Sequence, residues 1–214
     1  FEADPTSSQN ESFTINDLNM YGYSWWGPVT IKGSKPKDGI DHSVVFNNVT
    51  YTGAQLMYGI YTKAFIKGNT KIQSVGSYVS PLDGSTQTTQ GLGNQQNFQI
   101  SYLEVLPGAT YTGTTTGGTN VEVYDGGSFI VDKGATVNLQ RTDASKSNER
   151  GTNALIDTQG GNVEFKDGST VILNKNALVK DGFAPIYIED GGNLTVDKNA
   201  TVSITGATGN IPVR

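Results

Sequence analysis

The chain of 214 residues contains no cysteine, a single histidine (His42) and few charged side chains, which make up 16% of the residues. The lack of cysteine excludes a disulfide framework and a thiolate metal site, and a lone histidine argues against zinc. No apolar run reaches the roughly eighteen residues that a membrane-spanning helix needs. The 15 Lys and Arg against 20 Asp and Glu give a net charge of −5 without a basic patch. Nucleic acid, membrane insertion and a cofactor are therefore not expected.

The chain contains a repeated sequence motif. Residues 126–139 read GGSFIVDKGATVNL, residues 160–173 read GGNVEFKDGSTVIL, and residues 191–204 read GGNLTVDKNATVSI. The copies start 34 residues apart (160 − 126) and then 31 apart (191 − 160), with no gap inside any copy. A period in this range is typical of stacked supersecondary units rather than of one globular core.

Each copy predicts two short strands that meet at a corner. Apolar residues alternate before the corner at Phe129 and Val131 and after it at Val137 and Leu139. The corner itself is Gly-x-Thr or Asn-x-Thr, and we expect its first residue to need a positive φ, which glycine reaches freely and asparagine tolerates. By this argument Asn199 takes the place of the corner glycines in the third copy.

The predicted fold is all-β: one parallel β-helix, or β-solenoid, whose turns stack by parallel strand pairing. About seven turns of roughly 4.8 Å give a rod of about 35 Å. Because an open solenoid end is an unpaired sheet edge, we expect a capped N-terminal end with at most one short helix. Residues 1–12 are predicted to be a flexible segment, and residues 13–214 a single domain cut from a larger surface protein.

Several further segments carry a family resemblance. Residues 44–56 (VVFNNVTYTGAQL) form its longest motif, with YGY at 21–23, GP at 27–28, IKGNT at 66–70 and LEVLPGAT at 103–110. Together they resemble the pectate-lyase-like adhesive domains of cell-wall-anchored surface proteins of lactobacilli and related Gram-positive bacteria.

The resemblance covers roughly residues 13–206. It implies a right-handed parallel β-helix, an extracellular location at the cell surface, and attachment or cell–cell aggregation rather than catalysis. Because the same architecture hosts both lyases and adhesins, the fold by itself does not decide the function.

The acidic composition of the chain gives a physical reason for aggregation at low pH. With a sequence pI near 4.8, like-charged rods repel one another at neutral pH and lose that repulsion as carboxylates become protonated. Homotypic association with the same protein on neighbouring cells is therefore expected to be favoured at acidic pH. The candidate pH-responsive acids are Glu104, Glu122, Asp125, Glu164 and Glu189.

An aromatic cluster leaves a second function open. Tyr21, Tyr23, Trp25 and Trp26 either plug the end of the solenoid or form a ligand or interface surface. In the second case the partner is a host or plant polysaccharide or a host surface protein. An active polysaccharide lyase is the weakest alternative.

The sequence favours no catalytic residue and no metal site. Asp132 and Asp197 occupy the same repeat position, but Lys166 takes that position in the middle copy and interrupts any ladder of Ca²⁺ ligands. His42 is interpreted as a loop histidine without a special role. The chain is accordingly predicted not to be an enzyme.

Overall fold

The computed structural model describes residues 11–24, 27–30, 42–90, 96–142, 154–174, 184–206 and 213. Within them the chain forms nineteen strands and no helix. In chain order these are β1 (Glu11–Asn16), β2 (Asn19–Gly22), β3 (Val29–Thr30), β4 (His42–Asn47), β5 (Thr50–Gly53), β6 (Met57–Lys67), β7 (Asn69–Ser74), β8 (Ser77–Val79), β9 (Thr86–Thr88), β10 (Phe98–Val105), β11 (Thr110–Thr115), β12 (Val121–Val131), β13 (Thr136–Arg141), β14 (Ile156–Gln159), β15 (Asn162–Phe165), β16 (Thr170–Asn174), β17 (Ile186–Glu189), β18 (Asn193–Val196) and β19 (Thr201–Thr205).

The strands stack in parallel as three faces of a solenoid. Face 1 contains β3, the first parts of β6, β10 and β12, then β14 and β17. Face 2 contains β1, β4, the second parts of those long strands, β15 and β18. Face 3 is a seven-stranded sheet in the order β2, β5, β7, β11, β13, β16, β19. This confirms the predicted parallel β-helix of about seven turns.

The three sequence copies stack in the predicted register. Phe129 pairs with Val163, and Val163 pairs with Leu194 in the next turn. After the corner, Val137 and Val171 pair in the same way. Phe129, Val163, Val137 and Val171 are fully buried in a single core, because alternation sends every second side chain inward.

The corners confirm that the glycines adopt a positive φ, but the same prediction for Asn199 is wrong. Gly134 and Gly168 have φ of +68° and +70°. Asn199 does not adopt a positive φ, although its turn is closed by the same type of hydrogen bond, from Ala200 N to Asp197 O at 3.0 Å. A type I turn accepts most residues at this position, so no left-handed residue is required. The asparagine that does adopt the left-handed conformation is Asn48, with φ of +54°.

The solenoid begins slightly earlier than expected, since β1 starts at Glu11. Within the described residues β1 and β2 are the edge strands of faces 2 and 3, and no helix caps them. A groove of about 470 Å³ opens there, and its apolar lining includes Phe13, Ile15 and Met20. Residues 1–10, where a cap was expected, lie outside the described residues.

A polar centre lies within the core at Asn97. Its amide nitrogen donates to Ser74 Oγ at 2.8 Å and to Thr114 O at 3.1 Å. Its amide oxygen accepts from Tyr111 Oη at 2.9 Å and from Asn120 Nδ2 at 3.1 Å. The Asn97 side chain thus makes four hydrogen bonds while fully buried, and it joins strands of faces 1 and 3.

Replacing Asn97 by alanine is expected to lower the free energy of unfolding by about 3 kcal/mol, because several buried polar groups lose their partner at once. Urea titration followed by circular dichroism measures the effect. The matched control is Asn138→Ala on the exposed side of face 3, which is expected to change stability by less than about 0.5 kcal/mol. Equal losses in the two variants would contradict the assigned role of Asn97.

Candidate functional site

The outer surface of face 3 is almost free of charge. Its side chains lie in columns, one residue per turn, because the strands pair in register. The column nearest the start of the strands reads Asn69, Thr110, Thr136, Thr170 and Thr201. The next column reads Asn19, Thr50, Lys71, Thr112, Asn138, Ile172 and Ser203. The last column reads Tyr21, Thr52, Gln73, Thr114, Gln140, Asn174 and Thr205. Lys71 is the only charged member of these columns and Ile172 the only aliphatic one, so this face presents mainly hydroxyl and amide groups on a regular sheet.

Tyrosines stand at the N-terminal edge of face 3. Tyr21 is 44% exposed and Tyr23 57% exposed. The ring of Tyr78, on β8, lies 5.7 Å from that of Tyr21 at an interplanar angle of 32°. Tyr21 and Tyr23 are therefore exposed at this edge. Trp25 and Trp26 lie outside the described residues.

The antiparallel hairpin of β8 and β9 carries Tyr78 beside Tyr21 of β2, and the repeat did not predict this hairpin. The segment is held close to residue 23 by a hydrogen bond from Gln90 N to Tyr23 O at 2.7 Å. Near its tip, Val79 is 64% and Leu82 94% exposed. The hairpin thus extends the apolar part of this edge outward from the sheet.

Face 2 has a different outer surface, in which apolar and acidic side chains share one column. In successive turns the column reads Val45, Phe65, Glu104, Ile130 and Glu164, all partly exposed. Neighbouring strands are about 4.8 Å apart, so Glu104 lies directly between a phenylalanine and an isoleucine. The two candidate acids on this face are thus placed within one short strip.

Glu104 has an environment that disfavours its charge. Burial raises the pKa of its carboxyl group, and the neighbouring Asp132 raises it further, whereas a hydrogen bond from Tyr102 Oη at 2.6 Å and the Lys166 ammonium act in the opposite direction. Lys166 itself pairs with Glu164, which raises the pKa of the lysine. Glu104 therefore becomes neutral at a higher pH than an ordinary glutamate.

The other candidate acids lie elsewhere. Glu122 is on face 1 and fully buried, and its carboxylate accepts hydrogen bonds from Gln96 Nε2, from Gln99 Nε2 at 3.3 Å and from Tyr124 Oη at 2.5 Å. It is not a surface carboxylate, although strand alternation points it outward. Glu189 is partly buried on face 1, and the side chain of Asp125 lies outside the described residues.

The remaining polar candidates are the corner residues of the repeat and His42. Asp132, Lys166 and Asp197 follow one another along the corner as the repeat predicted, and Asp197 Oδ2 accepts from the backbone of Asp167 at 3.0 Å. Among the described residues no three acidic or histidine side chains converge as metal ligands. The interpretation of His42 as a loop residue is wrong, because it begins β4 and is buried, with Nδ1 at 3.7 Å from Glu11.

The fold defines an all-β protein of the parallel β-helix class, with two outer faces of contrasting chemistry. No protein-family model, curated protein or solved structure matches the chain. In the part of the chain that the structure describes, no helix has the length and apolar character to cross a membrane.

Proposed function

We propose that the chain is an adhesive module of a bacterial cell-surface protein, of the pectate-lyase-like kind that it resembles. Copies on neighbouring cells associate with one another, and acid pH favours that association. The module acts outside the cell and by binding rather than by catalysis. The observation that carries the proposal is the column on face 2 in which Glu104 separates Phe65 from Ile130.

The column supports an acid-dependent interface for a simple reason. When Glu104 is ionised, an apolar strip is interrupted by a charge that would have to lose its water in any close contact. When it is protonated, Val45, Phe65, Glu104 and Ile130 form an uncharged strip over four successive turns. The groups that act on the Glu104 carboxyl include Tyr102, Asp132 and Lys166, with Glu164 two turns away. The ammonium of Lys63, on the neighbouring strand β6, lies 5.8 Å from the centre of the Tyr102 ring. Protonation thus removes the main obstacle to burying this strip.

Net charge acts in the same direction. The chain carries −5 at neutral pH and approaches zero net charge near its pI of about 4.8. Mutual repulsion between copies therefore declines over the same pH range in which Glu104 becomes neutral. Because the two effects differ in their response to salt, they are separable by experiment.

The test is the molar mass of the purified protein from about pH 7 to about pH 4, by size-exclusion chromatography with light scattering. We expect a monomer at neutral pH and a reversible, concentration-dependent dimer or larger assembly in acid. Adding about 0.5 M NaCl at pH 7, which screens surface charge, is expected not to reproduce the association. A monomer at every pH, or assembly induced equally by salt, would overturn the proposal.

A further inference from the structure

Face 3 has properties that self-association through face 2 does not use. Its last column presents Gln73, Thr114, Gln140 and Asn174 in four consecutive turns, and the same column begins with the exposed Tyr21. Hydroxyl and amide groups donate as well as accept hydrogen bonds, as do the hydroxyl groups of a sugar. From this arrangement we propose that face 3 binds a neutral, extended polysaccharide that runs along the solenoid axis with about one sugar ring per turn.

The spacing of the column fits that ligand. Neighbouring turns are about 4.8 Å apart, which is close to the advance of one pyranose ring in an extended chain. Adjacent outward columns are separated by about 7 Å along the strands, so a ring lying over the last column also reaches Thr112 or Asn138 of the next. A glycan in this direction meets the same kind of polar group at every ring.

Part of the outer surface of face 3 is ordered before a ligand arrives. The backbone is held by strand pairing on both sides, and Thr112 and Thr114 are β-branched, so these positions lose few rotamers on binding. The flatness of a parallel sheet also lets several rings make contact at once. Weak contacts at single rings therefore add up along the chain.

The tyrosines supply an apolar surface for the C–H face of a sugar ring, in addition to the hydrogen bonds. Tyr21 is 44% exposed, and Tyr78 stands beside it with its ring tilted by 32°. An exposed aromatic ring packs against the apolar C–H face of a sugar while the hydroxyl groups at its edge reach polar side chains. Tyr21 and Tyr78 therefore mark the end of the site at which one terminal ring is held.

The near absence of charge selects between classes of glycan. Lys71 is the only ionic group on the outer surface of face 3 within the described strands. A polyanionic glycan would lose its water at each ring without gaining a matching cation. The inferred ligand is thus a neutral hexose or N-acetylhexosamine polymer, and this inference does not depend on self-association.

The test is calorimetric titration of the monomeric protein at pH 7 with neutral β-1,4-linked glucose, mannose and N-acetylglucosamine oligosaccharides, each as dimer, tetramer and hexamer. Hexagalacturonate serves as the charged probe. We expect at least one neutral series to bind, with affinity that increases with length, and the charged probe to bind at least tenfold more weakly. No binding by any neutral hexamer, or stronger binding of hexagalacturonate, would overturn the inference.

Matched variants locate the site. Thr114→Lys on face 3 and Ser128→Lys on face 2 add the same charge at partly exposed positions within paired strands. Thr114→Lys and Tyr21→Ala are each expected to weaken binding at least tenfold, and Ser128→Lys to leave it unchanged, with all three retaining the wild-type circular dichroism spectrum. Loss with Ser128→Lys, or unchanged binding in Thr114→Lys and Tyr21→Ala, would contradict a site on face 3. If Thr114→Lys instead alters only the molar mass in acid, face 3 is a contact between copies and the inference fails.

Discussion

Replacing Gly127 by alanine is expected to cost more than about 4 kcal/mol and to prevent stable folding of the central turns. A Cβ atom at this position would lie 1.6 Å from the carbonyl oxygen of Ser101 in the preceding turn. At Gly161 and Gly192, the equivalent positions of the next two turns, it would lie 2.7 Å and 2.1 Å from a backbone oxygen. The obstacle is backbone and not a flexible side chain, so no rotamer change relieves it.

The control for Gly127→Ala is Gly134→Ala. Gly134 has φ of +68°, but no atom beyond the adjacent residues lies within 4 Å of a Cβ built on it. Its substitution therefore brings only the left-handed backbone penalty of about 1–2 kcal/mol. Urea unfolding of both variants measures the difference, and a loss at Gly127 no larger than that at Gly134 would show that the turns are less closely packed than the structure indicates.

The two kinds of glycine also show what the sequence could reveal. The repeat predicted the register, the inward residues and the corner glycines, because each depends on periodicity and on local backbone geometry. It could not separate Gly134, which needs a positive φ, from Gly127, which needs room for a neighbouring turn. That distinction depends on the distance between turns and appears only once they are stacked.

The candidate sites were less predictable for a similar reason. Alternation placed Glu122 outward, and its burial under Gln96 depends on a segment that the repeat does not contain. Conversely, the sequence offered Glu104 and Tyr21 as candidates, but it did not show that Glu104 lies between Phe65 and Ile130. A column across turns brings together residues that are far apart in the chain. Its members can be predicted only when the register between turns of unequal length is known.

Glu104→Gln is expected to associate at about pH 7, where the wild-type protein is expected to be a monomer. The substitution keeps the hydrogen-bond acceptor for Tyr102 and removes the charge between Phe65 and Ile130. If this charge is what opposes contact between copies, its removal replaces protonation. Light scattering at a series of pH values measures the molar mass and thereby the shift.

Glu189→Gln is the matched control for association, because it changes the net charge by the same amount on face 1 instead of face 2. We expect its pH profile to follow that of the wild type. Equal shifts of the pH profile in both variants would mean that net charge alone governs association. An unchanged profile for Glu104→Gln would mean that protonation of Glu104 does not control association.

Thermal unfolding gives an independent measure of the Glu104 charge. Because the folded-state pKa of Glu104 is raised above that of an unfolded chain, its carboxylate opposes folding at neutral pH, and this penalty disappears as pH falls below the unfolded value of about 4.3. Glu104→Gln is therefore expected to raise Tm at pH 7 and to leave it unchanged near pH 3.5. A higher Tm without altered association would mean that the Glu104 charge affects only the stability of the fold. The copies would then contact one another through another surface.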